Sequence, residues 1–436
     1  MIQHKYIAPL KYLSLLLLLL TGSRMIAQEN QYYNEDRLRY EDFIYQPGIF
    51  TVKFHPLNND QGMPIIKLNS GERLILRFDD LYEDFVDYSY TIIHCNHDWT
   101  PSNILKAQYL SSYQDYYLTN YEYSTNALIP YTHYDLVIPN NNMRFTKSGN
   151  YILKVYRDDD PDKLVLTRRF MVFEDRVGIG GQVRRATQVD KRDTHQEIDF
   201  TINHSNYHIQ NPFQDLHVTI MQNQRWDNPI TNLKPQFVQN AQLLYNYDDE
   251  NTFHGINEFR FFDIKNLQVL TQNVRRISQD SVYTAYLATD QERSITRYAV
   301  YFDINGHYVV RRLDAGNSET EADYAYVDFI LDYPAPLQDG DIYIFGKFSD
   351  WKLLPQYRMQ YDYVRNAYRG KFLLKQGYYN YMYALQENNG QLDVEAIEGS
   401  HWETENTYQI LVYNREVGLR YDRLVGFNEL SSEDLY

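Results

Sequence analysis

Cysteine is almost missing from this 436-residue chain: Cys95 stands alone, so no disulfide can close within it. Long apolar runs are missing too. The longest, Leu13 to Leu20, is interrupted by Ser14 and is far shorter than the roughly 20 residues a membrane-spanning helix needs, so no direct membrane span is expected. Basic charge is in deficit, with 42 Lys and Arg against 58 Asp and Glu and a formal net charge of −16. Phosphate binding needs a net basic face, which argues against nucleic acid as a partner. Apolar residues at sustained helical spacing are scarce. Catalytic signatures are equally thin, and no Gly-x-Ser-x-Gly elbow is present. Gly178-Ile179-Gly180-Gly181 is followed by no P-loop lysine and reads as a linker or β-turn. Asp158-Asp159-Asp160-Pro161-Asp162 lacks the central glycine and distant glutamate of a calcium loop and reads as a hairpin turn. The chain is therefore expected to be no enzyme, with no catalytic, metal or cofactor site.

What is present begins with an address. Lys5 and Lys11 lie around the start of the short apolar run, and Ile26-Ala27-Gln28 offers a small residue for cleavage, the pattern of a signal peptide over residues 1–27. Cleavage after Ala27 would leave 409 residues, enough for two or three domains. It would also remove Lys5, Lys11 and Arg24, taking the formal charge from −16 to −19. An acidic surface of this kind keeps an exported protein soluble and complements a basic partner.

The 43 tyrosines and 21 phenylalanines suit pleated, half-buried surfaces. Alternation is direct in Asp87 to Cys95, where Tyr88, Tyr90, Ile92 and His94 share one face, and in Gly377 to Leu385, where Tyr379, Tyr381, Tyr383 and Leu385 do. Short apolar stretches at Ile49 to Phe54, Leu74 to Phe78, Tyr88 to Ile93, Tyr134 to Ile138, Tyr151 to Tyr156 and Leu164 to Phe173 are separated by turn residues, the rhythm of a β-sandwich. Thr100-Pro101-Ser102 is placed to begin one helical turn. The expected fold is all-β, a row of immunoglobulin-like sandwiches: residues 28–175, a middle β-rich region 176–318, and a third sandwich 319–436. The middle region includes strands at Ile198 to Ile202, Leu216 to Met221, Glu258 to Phe262 and Tyr298 to Phe302.

The densest group of reactive side chains is His94-Cys95-Asn96-His97-Asp98-Trp99. On a strand, His94 and Cys95 point to opposite faces, so they share no ion unless Asn96 supplies a sharp turn. A buried strand end is the reading adopted. Asp303-Ile304-Asn305-Gly306 reads as a tight turn.

In the third region, Gly346-Lys347-Phe348-Ser349-Asp350-Trp351 and Gly377-Tyr378-Tyr379-Asn380-Tyr381 resemble early-set sandwich domains, including glycogen-binding modules. That resemblance makes Trp351 and Trp402 candidate sugar-stacking residues and a secreted carbohydrate-binding protein the alternative function.

A broader resemblance spans nearly the whole chain after residue 28. It is carried by His94-Cys95-Asn96 with Asp98-Trp99 and Pro101-Ser102, Tyr131 to Pro139, Ser148 to Tyr151, Arg168 to Val172, Gln222 to Asp227, Asn257 to Arg260, Asp303 to Gly306, Leu374 to Tyr381 and Glu398 to Tyr413. In order, these segments resemble the plug family of the type IX secretion system, formerly a family of unknown function. The resemblance implies a periplasmic protein, exported by its signal peptide, that docks on the giant outer-membrane translocation barrel of that system. There it would seal the periplasmic opening and preserve the permeability barrier. It transfers no contact residues, so the partner-binding residues are unknown at this level.

Overall fold

The computed structural model describes residues 37–82, 84–111, 116–338 and 340–435; the expected signal peptide lies outside them. The fold is all-β, arranged as three packed sandwiches of largely antiparallel sheets. In the first, one sheet runs Phe43–Ile44, Leu164–Phe173, Gly149–Arg157, Tyr88–Cys95, Tyr116–Tyr117, with Ile65–Lys67 parallel to Leu164–Phe173. The facing sheet runs Ile49–Pro56, Leu74–Asp80, Thr132–Ile138, Asn120–Tyr123. All six apolar stretches read as strands here lie within these elements. Alternation explains what the strand Tyr88–Cys95 does. Tyr88, Tyr90 and Ile92 enter the sandwich core with Phe78 and Tyr134, while Ile93 and Cys95 face outward into a second apolar layer.

That second layer joins the first sandwich to the second. It combines Cys95, Trp99, Ile152 and Met171 with Met221, Leu411, Tyr413 and Leu424. The second sandwich pairs the sheet Gly178–Arg185, His195–Asn203, Gln242–Tyr245, Phe237–Gln239 with the sheet Ile230–Thr231, Leu216–Gln222, Thr407–Asn414, Arg423–Ser431. Leu216–Gln222 pairs along its whole length with Thr407–Asn414. The third sandwich is built on Gly377–Glu387, which pairs with Arg260–Asp263, Tyr308–Val310 and Gly340–Phe345. Its other sheet runs Val274–Gln279, Tyr283–Leu287, Tyr324–Asp332, Ala367–Lys375, Gln360–Asp362. The second and third sandwiches thus each take strands from both sides of residue 318.

Three local expectations meet a different outcome. Gly178 to Gly181 is neither linker nor turn but the start of the strand Gly178–Arg185, paired with His195–Asn203. A Cβ on Gly181 would come within 2.7 Å of Phe200 Cβ and 2.6 Å of Asp199 O, so glycine there permits close packing of backbone. Tyr298 to Phe302 forms no strand among the described residues. The helical turn anticipated at Thr100 forms instead at Lys106–Tyr109, because Pro101 is bridged to Cys95. The hairpin reading of Asp158 to Asp162 matches the geometry: Asp158 and Asp159 have φ of 57° and 55°, and the loop links Gly149–Arg157 to Leu164–Phe173.

Candidate functional site

The reactive cluster at residues 94–99 is a structural joint. His94 is buried; its Nε2–H donates to Ser148 O at 3.0 Å and its Nδ1 lies 2.8 Å from Ser102 Oγ. Burial pulls its pKa down to about 4, which keeps the ring neutral. Burial likewise pushes the Cys95 thiol up to about 12, so the thiolate is scarce at neutral pH. The turn that follows is made at Trp99 (φ 65°), whose N–H donates to Asn96 O at 3.0 Å. Trp99 meets Trp226 edge-on at 5.1 Å, and the Arg169 guanidinium lies 4.5 Å and 5.1 Å from the two ring centroids. His97 bonds Asp422 at 2.8 Å and stacks on His217 at 3.6 Å. Burial raises the Asp422 carboxyl, but the bonds from His97 and Arg415 outweigh it and hold the carboxylate well below its ordinary range. Among the described residues no group of three or more His, Cys, Asp or Glu is placed to hold a metal ion.

A second joint locks the first sandwich to the third. Lys375 Nζ and Tyr324 OH each donate to Asp79 Oδ2 at 2.6 Å, and His133 Nδ1 sits 2.7 Å from Asp79 Oδ1. Burial alone would lower His133, but its bonds to Asp135 and Asp79 win and raise it to about 9. Burial alone would raise Asp79, yet Lys375 and His133 hold it below its ordinary value. Further ion pairs cross between the same two parts of the molecule: Arg77 pairs with Glu319 at 3.1 Å, Arg168 Nη2 lies 3.1 Å from Asp350, and Lys352 pairs with Glu41 at 2.9 Å.

The second and third sandwiches meet where Arg225, from the second, lies 5.4 Å and 5.2 Å over Phe345 and Trp351 of the third. Each sandwich therefore touches the other two, and the three close on one another as a triangle rather than a string. Such an arrangement resists hinge motion.

Trp351 is in a core, against Phe259 and Phe345, with only 4% of its surface exposed. Trp402 is half-buried with the Arg185 guanidinium 4.8 Å over its ring. The Trp351 ring is thus closed to a sugar, while the Arg185 guanidinium covers one face of Trp402.

What the surface does offer is apolar. On the first sandwich, Phe85, Tyr117, Tyr121 and Tyr123 are exposed. On the third, Ile295, Val300, Tyr301 and Phe302 are. None of these was read from the sequence as a surface residue, Val300 to Phe302 having been taken for part of a strand; for the first sandwich the tyrosine-dense run from 116 to 123 was the available signal. Exposed aromatic rings on a rigid scaffold are what a protein–protein contact uses as anchors. The three sandwiches thus pack against one another and leave these apolar side chains at the surface.

Residues 49–174, the first sandwich, match the type 9 secretion system plug protein 1st domain. The chain belongs to the type IX secretion system plug family, a secretion-system family and not a known enzyme family. A crystal structure of a hypothetical protein from Parabacteroides merdae ATCC 43184 is similar at 32% identity and a TM-score of 0.87, covering 91% of this chain and all of that one. Comparison with curated proteins gives no match. Among the described residues no helix is long and apolar enough to cross a membrane.

Proposed function

We propose that this protein is the periplasmic plug of a type IX secretion system, docking on the inner mouth of the outer-membrane translocation barrel and sealing it. The observation that carries this reading is the match of the first sandwich to the plug family, set on a block whose three sandwiches brace one another. A barrel wide enough to pass folded cargo leaks when idle. A stopper for it must be broad and must not bend, and a closed triangle of sandwiches meets both needs better than a flexible string. Affinity in such a contact comes from aromatic anchors in a large complementary surface. Export by the N-terminal signal would deliver the chain to the periplasm, beside the outer membrane.

A stopper acts by occupancy. Deleting it is expected to make the outer membrane permeable to large antibiotics and detergents while cargo export continues at least in part, and removing the barrel as well should abolish the leak. Tagged mature protein should recover the barrel from detergent-solubilised outer membrane. An intact permeability barrier in the deletion strain, with no barrel recovered, would overturn the reading.

A further inference from the structure

The open side of the first sandwich carries one end strand of each of its two sheets, whose other ends are Phe43–Ile44 and Ile49–Pro56. Tyr116–Tyr117 ends one sheet and Asn120–Tyr123 ends the other. Phe85 sits between them: it contacts Tyr121 at 4.6 Å between ring centroids, and Tyr121 contacts Tyr123 at 5.8 Å. Phe85 also lines, with Tyr117, a shallow cavity of about 350 Å³ whose other walls include Asp87, Asp158 and Asp159. The rings thus form one continuous arc, and Phe85, Tyr117, Tyr121 and Tyr123 are each 38% to 55% exposed. All four residues of Asn120–Tyr123 are exposed. Apolar surface on an unpaired edge is ordinarily blunted or covered, because it invites pairing with another chain.

Charge decides what would cover it. The aspartates of the Asp158 hairpin stand beside the arc, tied to it by a hydrogen bond from Tyr117 OH to Asp159. Asp84, Asp87 and Asp162 are exposed around it. The nearby cations Lys163 and Arg157 lie against Asp158, at 2.9 Å and 3.9 Å. An anionic lipid or phosphate would be repelled here. A lysine or arginine would find a carboxylate and an aromatic face at the same place, two attractions that reinforce each other.

We propose that this aromatic and acidic open side of the first sandwich is the docking surface, and that its occupant is a lysine- and arginine-rich extended segment on the periplasmic face of the translocation barrel. The assignment rests on the plug reading above and adds to it the face and the chemistry of the partner. The family match falls on the same sandwich, residues 49–174.

The test uses full-length mature protein and the detergent-purified barrel, with binding measured by biolayer interferometry over a salt series. The unaltered protein is expected to bind, more weakly as salt rises; absence of binding would sink the plug reading itself. Phe85→Ser/Tyr123→Ser should weaken binding by about tenfold or more, as loss of central aromatic anchors does. Asp84→Lys/Asp87→Lys should weaken it similarly at low salt and flatten the salt dependence, since exposed charges are screened over about 8 Å at physiological ionic strength. Val300→Ser/Phe302→Ser, on the third sandwich, should bind as the unaltered protein does. Each variant is to melt as the unaltered protein does; a variant that melts early is replaced by Tyr123→Ser or Asp87→Lys alone. If the unaltered protein binds and the first-sandwich variants bind within twofold of it, the surface assignment is wrong while the plug reading stands. Loss of binding in Val300→Ser/Phe302→Ser alone would move the docking face to the third sandwich and equally overturn it.

Discussion

Lys375 and Asp79 are both essentially buried, 2.6 Å apart, and they come from different sandwiches. A buried pair of this kind contributes little net stability over an apolar substitute, but removing one partner strands the other. Lys375→Met is therefore expected to destabilise the protein by about 3–5 kcal/mol, read by urea unfolding, because Asp79 loses its main countercharge. His133 shares the same carboxylate and gives the pH dependence its sign. Its folded-state pKa is raised above the ordinary histidine value, to about 9, so its contribution is complete below about pH 6.5 and is lost as pH rises through 9. Asp79, whose pKa is lowered, contributes above the ordinary carboxylate range and loses that contribution on acidification. Melting temperature should fall between pH 7 and 9.5, and His133→Gln should flatten that fall; an unchanged slope would show that His133 is not the titrating group. None of these partners was legible in the sequence, since Asp79, His133 and Lys375 meet only through the packing of two sandwiches.

At the scale of elements, the strand Gly377–Glu387 organises the third sandwich from both faces. Tyr379, Tyr381 and Tyr383 fill the main core, and Met382 and Ala384 meet Trp351 and Phe259 on the other side. The tight turn at Asp303 to Gly306 closes over the same ring: Asn305 and Gly306 have φ of 51° and 79°, and a Cβ on Gly306 would fall on the Trp351 ring. Trp351→Ala is thus expected to cost about 3–5 kcal/mol, seen as a lower melting temperature with no change in polysaccharide binding. Unchanged melting with lost glycan binding would restore the sugar-stacking role. The alternating strands were readable because period-two burial leaves its mark on every second residue. Gly178 to Gly181 was not, because glycine reads as a turn whether it serves positive φ or close backbone approach. Nor was Tyr298 to Phe302, whose β-forming residues join no strand among the described residues.

For the whole molecule, closure matters more than any single contact. Thr407–Asn414 lies between Leu216–Gln222 and Arg423–Ser431, so the last stretch of the chain completes a sheet begun far upstream. Deleting residues 405–436 should unfold the second sandwich and expose residues 178–254 to limited proteolysis. A truncated protein as protease-resistant as the intact one would refute that dependence. The same deletion removes Leu411, Tyr413 and Leu424 from the layer that holds Cys95 and Trp99, so the joint to the first sandwich should loosen with it.

From its residues alone the chain determined that it would be β-rich, free of internal disulfides and built of several sandwiches, because alternation, composition and cysteine count are local properties. The collinear motifs pointed to its family for a related reason: turns and core positions keep their order along a chain. Tertiary structure decided the rest. It chose which distant strands share a sheet, turned Cys95 and Trp99 into a joint between sandwiches, buried Trp351, and left the rings of the first sandwich's open side uncovered. Those outcomes depend on which faces meet in space, and a one-dimensional pattern carries a strand's period without naming its partner.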